Sequence, residues 1–135
     1  MATSTVKYLG QIHTEAQHLQ SGKEIETDGP TDNHGKGEAF SPTDLTATSL
    51  ASCMLSIMGI KSIAMGKEIT GTTADVTKIM AADPRRIIEI QINMTVPDTG
   101  YTDKEKEILL NAAKTCPVAK SLHPDIKQSL VIQFK

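Results

Sequence analysis

The chain has 135 residues, a formal net charge of −2 at neutral pH and no tryptophan. This length suits one domain, and a single domain over residues 1–135 is predicted. The charge provides no basic surface for nucleic acid or an anionic membrane, so neither is an expected partner. The first ten residues lack the apolar core of a signal peptide, which favours a cytoplasmic protein. In that reducing compartment, the two cysteines are not expected to form a permanent structural disulfide.

The N-terminal region alternates in the manner of a β-strand. Val6, Tyr8 and Ile12 fall on one face over residues 6–17, and His13 falls on the other. This alternation predicts one continuous strand. After a serine-glycine turn, Lys23–Thr27 is expected to return antiparallel to that strand as a hairpin.

The next element is a helix predicted over Ser41–Gly66. Ser41 and Pro42 are typical of a helix start, Asp44 opposes the positive end of the helix dipole, and Gly66 is typical of a helix end. Aliphatic and methionine side chains point in nearly every direction around this helix. It should therefore be buried on all sides, which one small domain does not achieve alone. We accordingly predict a homodimer.

The C-terminal half begins with a second predicted hairpin. Ile69–Met80 is rich in β-branched residues, and Arg86–Val96 alternates, with an Asp-Pro turn between them. The apolar face predicted for the second of these strands contains Ile88, Ile90, Ile92, Met94 and Val96.

A second helix is predicted after this hairpin. Thr102 and Glu105 have the spacing of a capping box, and Pro117 should break or restart the helix. Alternation over residues 130–134 predicts a last strand. Strands grouped around two helices, without regular βαβ alternation, indicate an α+β fold.

The two cysteines are the main candidates for chemistry. Cys53 lies in the middle of the central helix, where an inert small hydrophobic side chain is the more common role. It is about three turns from the helix start, too far for the dipole to lower its pKa, so a reactive Cys53 needs a cation from elsewhere. Cys116 extends the apolar stripe of the second helix, and a half-buried inert thiol is again the more common role. Its place at a helix break beside Pro117 nevertheless predicts that it is the more accessible of the two thiols.

The stretch GKGEAFSPTDL at residues 35–45, with Cys53 after it and the Cys116-Pro117 pair far downstream, resembles the OsmC/Ohr family. These are osmotically induced and organic-hydroperoxide-resistance proteins, and the resemblance covers almost the whole chain. It implies an intertwined homodimer in which antiparallel sheets wrap around two central helices, with each active site at the subunit interface.

The resemblance also implies the roles of the cysteines. Cys53 corresponds to the peroxidatic thiol and Cys116 to the resolving thiol of a peroxidase that reduces organic hydroperoxides and is reset by a dithiol reductant. No cofactor is implied. Apolar residues around Cys53 predict a preference for hydroperoxides with apolar tails over hydrogen peroxide.

This sequence departs from the family pattern at the residues that activate the thiol. Family peroxidases pair an N-terminal arginine with an acid, whereas the first arginine here is Arg85. The acid is Asp44, and the family's glutamate would fall at Thr43. Asp44 is nine residues before Cys53, on the opposite side of a regular helix, so helix capping competes with a catalytic role. His13 is the candidate for the missing cation, against the simpler reading of a surface histidine.

Two alternatives to the peroxidase stay open. The same thiol pair would suit a thiol-disulfide sensor that turns over little peroxide. A non-enzymatic dimer could instead bind a small hydrophobic molecule at its interface. The four histidines lack ligand spacing with one another or with the cysteines, so no metal site is predicted.

Overall fold

Six strands and three helices make up the computed structural model, which describes all residues 1–135. The chain divides into two units, Met1–Thr46 and Ala47–Lys135. In chain order the elements are β1 (Ser4–Gly10), β2 (His13–His18), β3 (Glu24–Asp28), α1 (Pro42–Ala64), β4 (Thr73–Ala81), β5 (Arg86–Val96), α2 (Asp103–Lys114), α3 (Pro117–Ser121) and β6 (Lys127–Phe134).

The first unit contains an antiparallel sheet in the order β1-β2-β3. The single strand predicted over residues 6–17 is wrong, because the chain reverses at Gln11 and Ile12, which both have positive φ angles (54° and 63°). This backbone matches the tight turns that join neighbouring strands, although neither residue is a usual turn former. The predicted pairing of Lys23–Thr27 with the preceding strand is confirmed by β2 and β3.

The second unit contains a sheet in the order β4-β5-β6. β4 and β5 pair antiparallel and confirm the second predicted hairpin, whereas β6 pairs in parallel with β5. A bulge interrupts the β4-β5 register where Met80 pairs with Ile87. The extra residue turns Ile87 inward and leaves Ile88 39% exposed, so the predicted apolar face is wrong at Ile88.

Helix α1 confirms the predicted central helix, and Gly66 follows its end with a positive φ of 72°. One side of α1 packs into the core of the second unit with side chains from β5 and α2. The expectation of burial on all sides is wrong for the single chain, since Ile60 and Ile63 are 63% and 64% exposed. The buried residues of α1 are Ala47, Leu50, Ala51, Met54, Met58 and Ser62.

Helix α1 is also long and apolar enough to cross a membrane, judged by length and composition alone. The core helix of a soluble protein passes the same test. Here 33% of the apolar window is buried inside the protein, and Ser52, Ser56 and Lys61 are exposed. One side of the helix therefore lies in the protein core, and the exposed side carries the apolar Ile60 and Ile63 as well as these polar residues.

Helix α2 begins with the predicted capping box, which the structure confirms. The Glu105 N–H donates to Thr102 Oγ1 over 3.1 Å, and the Thr102 N–H donates to Glu105 Oε1 over 2.9 Å. Lys67 Nζ reaches the same carboxylate oxygen at 2.7 Å. Glu105 therefore joins the helix start to the segment that follows α1.

Thr102→Ala is expected to lower the free energy of unfolding by about 1 kcal/mol, because it removes the acceptor for an otherwise unpaired helix N–H. Urea denaturation followed by circular dichroism measures this loss. The matched control is Thr99→Ala in the preceding exposed bend. Equal stabilities for the two variants would contradict the role of the cap.

Glu105 should also make stability depend on pH. The Lys67 ammonium, and then the Thr102 N–H, lower the pKa of Glu105 below its ordinary value, while partial burial opposes them. The folded state therefore favours the ionised carboxylate, which stabilises it fully above the unfolded pKa of about 4.3. This contribution is lost as the pH falls through the lower folded-state pKa.

Glu105→Gln is accordingly expected to be less stable than the parent at pH 7, with the difference shrinking below about pH 4. Denaturant unfolding at a series of pH values measures it. Glu107→Gln, at an exposed site on the same helix, is the control. A difference that stays constant across this range would show that ionisation of Glu105 is not its cause.

Candidate functional site

The two cysteines lie in the second unit, on elements that meet in its core. Cys53 is on α1 and half-buried, and Cys116 precedes α3 and is fully buried. The prediction that Cys116 is the more accessible thiol is wrong. Pro117 does restart the helix as predicted, but Cys116 is the N-cap of the new helix and keeps its side chain on the inward stripe of α2, beyond Ala112 and Ala113.

The fold brings the two thiols together although 62 residues separate them in sequence. Cys53 lies within hydrogen-bonding reach of the Cys116 thiol, and both cysteines are free. Cys116 Sγ also accepts the Ala119 N–H over 3.5 Å, in the first turn of α3. Cys116 belongs to the buried hydrophobic core, and the partly buried Cys53 packs against that core.

Burial is the main cause of the raised pKa of Cys116, and the hydrogen bond with Cys53 adds to it. The Ala119 N–H acts in the opposite direction, since it favours the thiolate. Cys116 is therefore a protonated thiol at neutral pH. Of the two cysteines, only Cys53 has exposed surface, because Cys116 is completely buried.

Asp44 lies at the start of α1, where it forms a reciprocal cap with Ser41. The Asp44 N–H donates to Ser41 Oγ, and the Ser41 N–H donates to an Asp44 carboxylate oxygen, both over 3.0 Å. The structure thus gives Asp44 the capping role expected from its position. A catalytic role for Asp44 stays a prediction.

His13 is the first residue of β2, and two carboxylates face its ring. Its Nδ1 lies 2.8 Å from the Gln11 carbonyl oxygen. Its Nε2 lies 3.4 Å from Asp28 Oδ2 and 3.7 Å from Glu38 Oε2. Neither Asp28 nor Glu38 was predicted as a site residue from the sequence. The only available signal was the pairing of β2 with β3, which places His13 opposite Asp28.

Asp28 is fully buried at the end of β3 and organises the loop that follows it. Its Oδ2 accepts the Lys36 N–H over 3.2 Å and the Glu38 N–H over 2.9 Å, whereas its Oδ1 has no hydrogen-bond partner. The Glu38 N–H is the main cause of the lowered pKa of Asp28, burial opposes it, and His13 and the Lys36 and Gly29 N–H groups lower the pKa further. Asp28 is therefore a carboxylate at neutral pH.

This loop depends on a close approach between two glycines. The Gly35 N–H donates to the Pro30 carbonyl over 3.0 Å, and the Gly37 N–H donates to the Gly29 carbonyl over 3.2 Å. A Cβ atom at Gly35 would collide with the backbone of Gly29. The glycines thus allow the loop to fold back so that the Lys36 and Glu38 amides face Asp28.

Comparison with known proteins places these features in a family. Residues 35–130 match the family model of the OsmC-like proteins. No curated protein matches the chain in sequence. A crystal structure from Psychrobacter arcticus 273-4, provisionally described as an osmotic stress induced and detoxification response protein, is 60% identical, with a TM-score of 0.95 over 98% of this chain and 96% of that one.

Two more distant structures share the fold. An organic hydroperoxide resistance protein from Legionella pneumophila, also described as a predicted redox protein, is 18% identical, with a TM-score of 0.71 over 98% of both chains. An organic hydroperoxide resistance protein from Elizabethkingia anophelis is 16% identical, with a TM-score of 0.70 over 100% of this chain and 98% of that one. The family match, the 60% identical structure and the α+β architecture together show that this chain belongs to the OsmC-like protein family.

Proposed function

We propose that the protein is a thiol-dependent peroxidase that reduces organic hydroperoxides, with Cys53 as the peroxidatic thiol and Cys116 as the resolving thiol. The observation that carries this proposal is the contact between two free thiols from distant parts of the chain. Their unequal exposure suits unequal roles, because the peroxidatic sulfur must meet the substrate and the resolving sulfur needs only to meet its partner. Distant members of the fold with hydroperoxide-resistance names agree with it.

The proposed reaction has two steps. The Cys53 thiolate attacks the distal oxygen of the hydroperoxide, the O–O bond breaks, and the alkoxide leaves as an alcohol after taking a proton. The Cys53 sulfenic acid then reacts with the Cys116 thiol to form a disulfide and water. An external dithiol returns both cysteines to the reduced state by thiol-disulfide exchange and is itself oxidised to a disulfide.

Apolar surroundings favour a particular class of substrate. Cys53 packs against a core cluster that consists mainly of aliphatic, methionine and alanine side chains, with Ile57 one turn further along its own helix. An alkyl or aryl hydroperoxide can bury its tail against such a surface, whereas hydrogen peroxide has no tail to bury. We therefore propose organic hydroperoxides as the preferred substrates.

The reduced protein is expected to consume cumene hydroperoxide rapidly and to form a disulfide between Cys53 and Cys116. Cys53→Ser should lower the rate by at least roughly two orders of magnitude, as loss of a nucleophile does. Cys116→Ser should consume one equivalent of peroxide and stop at a sulfenic acid that dimedone traps. Stopped-flow kinetics and peptide mapping provide both readouts.

The matched control is Ser56→Ala, which changes an exposed α1 residue that bonds to its own helix through Ser52. It should react at the parent rate. His13→Ala and Asp44→Asn test whether either side chain supports the thiolate. A parent rate no faster than that of free cysteine would reject the peroxidase. Equal rates with hydrogen peroxide would reject the substrate preference.

A thiol-disulfide sensor is the second candidate, and one observation favours it. The chain has no arginine before Arg85, so the usual cation of family peroxidases is missing. A pair that oxidises once but turns over slowly with a dithiol reductant would indicate the sensor. The burst of peroxide consumption and the steady-state rate separate these two functions.

We also propose that the active form is a cytoplasmic homodimer. Both units of the chain carry large apolar side chains exposed to solvent: Ile60 and Ile63 on α1, and Val6, Tyr8 and Ile25 on the first sheet. Val6 and Ile25 lie on one face, because both align with Ala16 across the sheet. Apolar surface of this kind is typical of subunit interfaces.

Sedimentation equilibrium is expected to give twice the chain mass of 14.5 kDa at micromolar concentration. Ile60→Glu with Ile63→Glu places charge on the apolar side of α1 and should shift the protein towards the monomer. Lys61→Glu, between them on the same helix, is the control for added negative charge. A parent that sediments as a monomer would contradict the homodimer.

A further inference from the structure

The first unit contains a cluster of three potential metal ligands, and the proposed peroxidase reaction assigns no metal to them. His13 begins β2, Asp28 ends β3, and Glu38 belongs to the loop before α1. One ligand atom from each of the three lies within 4.8 Å of the others. Their burial is graded, since Asp28 is buried, His13 is half-buried and Glu38 is exposed. A solute therefore reaches the cluster from the Glu38 side.

The orientation of the His13 ring is set by the backbone. A carbonyl oxygen only accepts hydrogen bonds, so the 2.8 Å contact with Gln11 O requires the proton on Nδ1. In the neutral imidazole, Nε2 then presents a lone pair towards the two carboxylates. Histidines that bind metals commonly have this arrangement, with one ring nitrogen donating to a backbone carbonyl and the other free for the ion.

The distances around Nε2 fit a shared ion better than direct hydrogen bonds. Hydrogen bonds from nitrogen to oxygen are about 2.7–3.2 Å long, whereas Nε2 lies 3.4 Å and 3.7 Å from the Asp28 and Glu38 oxygens. Ligands held at about 2.1 Å by a tetrahedral ion lie roughly 3.4 Å from one another. The three side chains thus already have nearly the spacing of a coordination shell.

Asp28 supplies the second, independent observation. Its side chain is fully buried, yet Oδ1 has no hydrogen-bond partner while Oδ2 accepts two backbone N–H groups. A buried carboxylate oxygen without a partner is costly, and such groups in folded proteins call for a specific explanation. The oxygen that faces His13 Nε2 is Oδ2, so a cation would have to contact both carboxylate oxygens to give Oδ1 a partner as well.

We propose that His13, Asp28 and Glu38 bind a divalent transition-metal ion of the zinc type. The imidazole nitrogen favours zinc and related ions over magnesium or calcium, which prefer oxygen ligands. Two carboxylates balance the ion's charge, and the exposure of Glu38 leaves room for water as a further ligand. The three ligands all belong to the first unit.

Zinc binding is measured best on the Cys53→Ser, Cys116→Ser double variant, prepared without a histidine tag and treated with a chelator. This background prevents the thiols from taking the metal. Isothermal titration with Zn²⁺ is expected to give one ion per chain with a micromolar or tighter dissociation constant. Co²⁺ used as a spectroscopic probe should give visible absorption typical of nitrogen and oxygen ligands, without a thiolate band.

Three variants identify the ligands in that background. His13→Ala, Asp28→Asn and Glu38→Gln should each weaken Zn²⁺ binding by at least about tenfold. Glu38→Gln is the safest of them for folding, because its side chain is 64% exposed. His18→Ala, on the same strand with its ring bonded to Ser21, is the matched control and should bind as the parent does.

Two results would overturn the proposal. One is the failure of Zn²⁺ to bind at millimolar concentration, together with a ¹⁵N spectrum in which the His13 ring is a doubly protonated imidazolium. The proton on His13 Nε2 would then interact with the two carboxylates in place of a metal ion. The other is binding that none of the three variants weakens, which would assign the ion to different ligands. Peroxidase activity does not enter either result, so the proposed function stands or falls separately.

Discussion

Packing of one side of α1 against β5 and α2 is the interaction on which the second unit depends. Leu50, Met54 and Met58 on the helix and the inward side chains of β5 are almost without exposed surface. That packing fixes the rotation of α1, and with it the position of Cys53 at the edge of the core. Cys116 reaches the same place because its helix continues the inward stripe of α2. The thiol pair is thus a product of core packing and needs no dedicated loop.

The sequence predicted most of the elements, because their signals are local. Each helix signal acts within one turn of helix: the capping residues Ser41 and Thr102, the helix end at Gly66 and the helix start at Pro117. The alternation over residues 6–17 is a local signal too, and for that reason it led to the wrong prediction of one continuous strand. It records which side chains share a face, but it does not show that the backbone reverses at Gln11 and Ile12. A two-residue turn without glycine or asparagine leaves no usual signal.

The chemistry of the candidate site was predictable only in part. Motif resemblance identified Cys53 and Cys116, but the exposure of each thiol depends on tertiary packing and was inferred in the wrong order. Asp28 and Glu38 were missed because their meeting with His13 is set by strand pairing and by the fold of a glycine-rich loop. Neither the separation of these residues in the sequence nor their residue types indicates that the three side chains lie close together. It becomes visible once β2 and β3 are in register.

The contact between Gly29 and Gly35 has a consequence for how this loop can vary. Any side chain at Gly35 would meet the backbone of Gly29, force the loop open and withdraw the Lys36 and Glu38 amides from Asp28. The Glu38 side chain faces His13 but is 64% exposed, so other residues fit at this position sterically. The positions least tolerant of substitution in this segment are therefore two residues that have no side chain. In a mutational scan of the loop, substitutions of Gly29 and Gly35 would therefore impair the protein more than substitutions of Glu38.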